Sequence, residues 1–174
     1  MKFITAALLF LLLSTITYAQ KMEKKSIEQR VAAIEDKMAI KYLVDEFSNL
    51  ADTKEIDKQV LLFTEDATVQ STVNGQQGAP LKGRKQIGDA FTAFLNNFET
   101  VYHLNGQQTV TLNGNKASGI SYCAVTLIGM ENGKKMKTSI GVYYHDEYVK
   151  QNGRWLIADR KSTFAWQEKR EVNQ

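Results

Sequence analysis

The sequence predicts an α+β domain in which three N-terminal helices pack in a strongly curved antiparallel sheet. Three observations predict it. Apolar residues recur at helical spacing as far as residue 98. Beyond that point the period shortens to the two-residue alternation of strands. Asn-Gly pairs then punctuate the chain at 105–106, 113–114, 132–133 and 152–153, after an earlier one at 74–75. Such a pair supplies the two positive φ angles of a tight hairpin turn.

The chain opens with Lys2 as its first charge, an apolar run over residues 4–13 broken only by Thr5, and the small residues Thr17 and Ala19. The run is shorter than the about 20 residues of a membrane span. A charged start, a short apolar middle and a small-residue end are the parts of a secretory signal. Residues 1–19 are therefore expected to be a signal peptide, and the mature protein to be exported, periplasmic or extracellular. Residues 20–25 read as a flexible lead-in.

Ser26 starts the first helix, with Gln29 three residues on as in a capping box. Ile27, Val31, Ile34 and Met38 form one helical stripe, and Ile40, Leu43, Val44, Phe47 and Leu50 a second, out of phase with it. Either the helix bends between Met38 and Ile40 or a short helix precedes the main one. The segment ends near Asp52. Residues 56–63 read as a short second helix and residues 66–72 as a strand. A loop over 74–83 holds Gly75, Gly78 and the only proline, Pro80. In the third helix, residues 84–98, Ile87, Phe91, Phe94, Leu95 and Phe98 share a face. Alternating runs at 107–112, 117–130, 136–150 and 155–166 make a long antiparallel meander. The domain is expected to span 26–168, with a polar tail at 169–174.

Composition narrows the function. The 22 basic residues against 19 acidic ones give a net charge of +3, and they are scattered. Lys134, Lys135 and Lys137 flank one turn and read as a solvated hairpin tip. No nucleic-acid partner is expected, and no membrane partner once the signal is removed. The single cysteine, Cys123, cannot form an internal disulfide and sits in an apolar run, as a buried packing thiol does. No Cys, His and acid spacing suggests a metal. There is no phosphate-cradling glycine loop and no nucleophile elbow. The reading therefore calls for no metal and no cofactor.

Several pieces, in order, resemble one family. They are Leu43-Val44 with Phe47; Asp52, then Asp57 and Leu61; Phe63-Thr64-Glu65-Asp66-Ala67; Gly83-Arg84 with Ile87 and Phe91; and His103-Leu104-Asn105 with Val110, Leu112, Gly114 and Ala117. Tyr144-His145-Asp146, Gly153-Arg154-Trp155, Ile157 and Arg160 complete the set. Together they resemble the nuclear-transport-factor-2-like superfamily in its SnoaL-like, scytalone-dehydratase-like branch, over about residues 26–166. The resemblance implies a cone: a bent sheet around helices, with a mostly apolar pocket open at one end. The superfamily holds dehydratases, isomerases, cyclases and epoxide hydrolases, so the fold does not give the function.

Asp52 and His103 are the candidate catalytic pair. The resemblance brings an acid at the end of the main helix to a histidine that opens the long hairpin. Imidazole exchanges protons near neutral pH, and a carboxylate beside it holds one tautomer. Phe47, Tyr122, Tyr144 and Asp146 are candidate wall or ligand contacts. Strand alternation puts Ile140, Val142, Tyr144, Asp146 and Tyr148 on one face and His145 on the other, and the first face is the more apolar. Trp155 and Phe91 read as core. The dehydratase pattern is incomplete: residues 117–130 hold no second histidine, and Ala51 stands where the pattern has a tyrosine. The arginine between two acids of the epoxide hydrolases is not visible.

Two functions follow. One is a small-molecule pocket running cofactor-free dehydration or isomerisation through the Asp52–His103 pair. The other is a non-catalytic binding module or dimerising scaffold, a homodimer forming through the sheet. For the signal peptide, mass analysis of exported material is expected to find Gln20 as the first residue; Met1 on the mature protein would refute it.

Overall fold

The computed structural model describes residues 26–172. The expected signal peptide and lead-in lie outside the described residues. The described residues fall into two units that divide between Ile34 and Glu35, and the core lies within the second.

Helix α1 runs over Ile27–Asp52. Its start is a capping box: the Ser26 N–H donates to Gln29 Oε1 at 2.9 Å, and the Gln29 N–H donates to Ser26 Oγ at 3.2 Å. The helix is continuous, so the change of phase between Met38 and Ile40 marks a change of environment and not a break. No glycine or proline is present to break it. Ile40, Leu43, Val44, Phe47 and Ala51 are buried, whereas Met38 and the stripe before it are exposed. A short helix α2 (Ile56–Gln59) and a 3-10 turn (Val60–Leu62) lead into β1 (Phe63–Val73). The loop expected over 74–83 contains two-residue strands β2 (Gln76–Gln77) and β3 (Leu81–Lys82), and α3 follows at Gly83–Leu95. The meander is β4 (Thr100–Asn113), β5 (Lys116–Glu131), β6 (Lys134–Gln151) and β7 (Arg154–Glu171). β7 runs on past Trp166, where the alternation reading ended it.

Three Asn-Gly pairs turn the chain as expected. Asn74-Gly75, Asn132-Gly133 and Asn152-Gly153 all have positive φ at both residues and close two-residue hairpins. At 113–114 only Gly114 has positive φ, and the two-residue loop is Gly114-Asn115. Asn105-Gly106 turns nothing: it lies inside β4, where the register with β5 shifts between Asn105 and Gln108.

The sheet corrects the expected architecture. Its order is β2-β1-β7-β6-β5-β4, and β1 pairs with β7 in parallel, from Thr68↔Asp159 to Val73↔Phe164. The sheet is therefore mixed, not purely antiparallel. It is open, with β2 and β4 at its ends, and neither strongly curled nor closed into a cone. The reason is connectivity. Hairpin turns fix β4 to β7 as antiparallel neighbours, but β1 reaches β7 only through α3 and five intervening strands, which leaves its direction free.

One polar clamp ties α1 to the last hairpin. Asp36 Oδ1 accepts from Lys150 Nζ at 2.7 Å and from the indole N–H of buried Trp155 at 2.8 Å. Partial burial works against the Asp36 carboxylate, but the Lys150 and Trp155 hydrogen bonds outweigh it and hold its pKa below the ordinary value. Its folded pKa thus lies below its unfolded one. The stabilisation is present above the unfolded pKa and is lost as pH falls through the folded pKa. Asp36→Ala strands the Trp155 N–H and is expected to cost about 2 kcal/mol at neutral pH. In urea titrations the difference from wild type should shrink as pH falls through the carboxylate range; a constant difference would refute the clamp's ionic part.

Candidate functional site

Asp52 is the last residue of α1, and His103 is the fourth of β4. They meet across the domain. Asp52 Oδ2 accepts the His103 backbone N–H at 3.1 Å, and Asp52 Oδ1 lies 2.6 Å from His103 Nδ1. An ionised carboxylate only accepts, so Nδ1 carries the proton and Nε2 of the neutral ring is the basic nitrogen. The His103 side chain is 8% exposed and that of Asp52 23%.

A second contact, two residues on, fixes this meeting. The Asn105 amide donates to the Val44 carbonyl at 3.2 Å and to Asp45 Oδ1 at 3.0 Å. Ser48 Oγ donates to Asn105 Oδ1 at 3.1 Å. Asp45 is held in turn by Lys41. The bulge at Asn105 thus anchors β4 along the last turns of α1, which sets His103 beside Asp52. Sequence reading saw Asn105-Gly106 as a turn signal and missed the clamp.

His103 lines a cavity of about 320 Å³. Its walls are largely apolar: Phe47 and Ala51 from α1, Phe91, Phe94 and Leu95 from α3, Val69 and Val73 from β1, and Val125, Leu127, Ile140 and Val142 from the meander. The polar side chains among its lining are Gln59, Ser71, His103, Tyr144, Arg160 and Ser162. Phe91, expected to be core, packs against the core and also faces the cavity.

Arg160 is the permanently charged member of this lining. It is 1% exposed. Its Nε and Nη2 donate to the two Asp146 oxygens at 2.8 and 2.7 Å. The guanidinium carbon sits 4.2 Å from the Phe47 ring centroid and 4.4 Å from that of Tyr144. Burial lowers the guanidinium pKa, but the Asp146 charge and hydrogen bonds outweigh it and hold it above the ordinary value. Nη1 has no partner in the protein.

The other expected contacts divide. Phe47 and Tyr144 line the cavity and pack edge to face at 6.2 Å. Burial raises the Tyr144 hydroxyl pKa, so the phenol stays protonated. Asp146 lies on the inner face, as alternation predicts, and His145 is exposed. Asp146 is nevertheless a correction, because it lies outside the lining: its oxygens are taken by Arg160 and by the Tyr148 hydroxyl at 2.9 Å. Tyr122 is a second correction. It is 44% exposed on the other face of β5 and packs on Tyr143 at 4.7 Å, because strand alternation turns it away from its buried neighbour Cys123. Burial pushes the Cys123 thiol up to about 11, in keeping with a packing role. Among the described residues no group of His, Cys, Asp and Glu could hold a metal ion.

Gln59 was not singled out from the sequence, where it looks like any polar residue of a short helix. It is 1% exposed, donates through Nε2 to the Phe47 carbonyl at 2.9 Å, and leaves Oε1 without a partner. No sequence signal marks it out.

Known proteins place this architecture. No curated protein matches the chain. Among solved structures, one similar protein is from Novosphingobium aromaticivorans and is provisionally named a scytalone dehydratase. It is 18% identical, with 81% of this chain and 91% of that chain covered, at a TM-score of 0.69. A hexachlorocyclohexane dehydrochlorinase, LinA type 2, is 15% identical, with 83% and 93% covered and a TM-score of 0.68. An NTF2-like protein with a cystatin-like fold, also from Novosphingobium aromaticivorans, is 19% identical, with 83% and 92% covered and a TM-score of 0.61. At these identities the likeness is one of fold. The SnoaL-like domain family itself matches residues 32–161. By this match, which spans most of its length, the chain belongs to the SnoaL-like domain family.

Proposed function

We propose that the protein binds a small, mostly apolar molecule in the 320 Å³ cavity and acts on it by proton transfer without a cofactor, as a dehydratase or isomerase. The observation that carries this is the 2.6 Å His103–Asp52 contact at the wall of an apolar cavity. Nε2 of His103 takes a proton from a carbon next to a carbonyl. Asp52 stabilises the imidazolium that results, as a buried carboxylate does for a catalytic histidine. In a dehydration the C–H electron pair becomes the new C=C bond, the C–O bond breaks, and the oxygen leaves as water with the proton His103 returns. In an isomerisation the proton goes back to another carbon. The names of two similar structures, a provisional scytalone dehydratase and a dehydrochlorinase, support an elimination.

The protein is exported, a reading supported by the apolar run and small-residue site at its start. It pairs with a second copy through the outer face of β4 and β5. The exposed side chains of Leu104, Ile120 and Tyr122 there support this. Sedimentation of the mature protein should give a dimer, and a monomer at all concentrations would remove that element.

The chemistry is testable before any substrate is known. In D2O, the protein should speed hydrogen–deuterium exchange next to the carbonyl of 2-tetralone above the buffer rate, read by proton NMR. His103→Ala should slow it by about 10²–10⁴-fold with an unchanged circular dichroism spectrum. Exchange unaffected by His103→Ala would take His103 out of the mechanism. If the protein gives no exchange but 2-tetralone binds, the non-catalytic binding module stands instead.

A further inference from the structure

The cavity carries a polar feature that the proton-transfer pair does not use. Gln59 is 1% exposed and lines it, and its Oε1 has no hydrogen-bond partner. The amide orientation is fixed by chemistry. Nε2 donates to the Phe47 carbonyl at 2.9 Å, and reversing the amide would set two acceptor oxygens against each other. A buried acceptor with no donor costs free energy that a donor brought in from outside would recover. Arg160, whose Nη1 is a donor without an acceptor, lines the same cavity. Among the described residues lining the cavity Arg160 is the only permanently charged one, and Asp146 already neutralises it with two hydrogen bonds. The lining therefore holds no uncompensated cation for an anionic ligand.

We infer that Gln59 is a specificity-determining contact, whose free Oε1 selects neutral, mostly apolar ligands bearing a hydroxyl or N–H donor. This rests on the reading of the cavity as a ligand site, and it holds whether or not the ligand then reacts. A hydroxyl suits both free groups in kind: its hydrogen serves Gln59, and its oxygen can accept from Arg160 Nη1. A methyl ether of the same skeleton keeps the acceptor and loses the donor, so comparing the two isolates Gln59 from Arg160.

The experiment measures binding of three matched pairs to the mature protein: phenol and anisole, cyclohexanol and methoxycyclohexane, and 1-indanol and 1-methoxyindane. Wild type should prefer the alcohols by about tenfold. Gln59→Leu should bring that ratio close to one while holding the ethers at least as well. In wild type, the Gln59 side-chain amide resonances should shift on adding 1-indanol and not on adding its ether. That measurement decides the matter alone if Gln59→Leu fails to fold for want of its bond to Phe47. Equal binding of alcohol and ether by wild type, or a preference that survives in a folded Gln59→Leu, overturns the inference and leaves the cavity reading in place. If no member of any pair binds, both fall.

Discussion

A guanidinium buried near the middle of the domain is the constraint around which the rest is arranged. A lone cation with 1% exposure would cost several kcal/mol in lost hydration. Arg160 is tolerated because two elements converge on it. β6 brings the Asp146 carboxylate, which takes two of its donors, and the Tyr148 hydroxyl that completes the carboxylate. Phe47 of α1 and Tyr144 of β6 lay ring faces over it. Phe47 in turn meets Phe63 and Phe91 edge to face at 5.9 and 6.0 Å. The contacts that compensate one charge thus join α1, α3 and the sheet at the wall of the cavity.

The Asp52–His103 pair depends on a different kind of constraint. Asp52 occupies a helix end and His103 a strand near the edge of the sheet, positions that would ordinarily be loosely defined. Two devices remove the slack. Asp52 binds the backbone and the ring of the same histidine, which fixes both the strand and the tautomer. Asn105, the last residue in register before the bulge, binds α1 one to two turns earlier. Rigid placement of this sort is what the proposed proton transfer would require.

What could be read from the sequence was whatever is encoded locally. The capping box at Ser26 and Gln29, the helix stripe through Ile40 and Phe47, three of the Asn-Gly hairpins and the alternating faces of β6 each need only a few neighbouring residues. The contact between Asp52 and His103 came from likeness to a family, since nothing local joins residues 51 apart. The partner of β1 was illegible for the same reason: no turn leads from β1 to β7, so nothing in the chain announces a parallel seam. Tyr122 was misplaced because a tyrosine suits an apolar wall and an exposed sheet face equally well. Gln59 and the free Nη1 of Arg160 stayed hidden because being unpartnered belongs to an environment, not to a residue type.

The parallel seam between β1 and β7 also governs when the cavity comes into being. Thr68 and Asp159 face each other across it, 91 residues apart in the chain. Val69, Ser71 and Val73, which line the cavity from β1, have no neighbouring strand on that side until Arg160 to Phe164 arrive. Closing so long a loop is entropically costly, and contacts of that separation form late. During synthesis the helices and the first hairpins emerge well before the strand that completes the chamber. The chamber's β1 wall is therefore complete only once the final strand of the chain has paired with it.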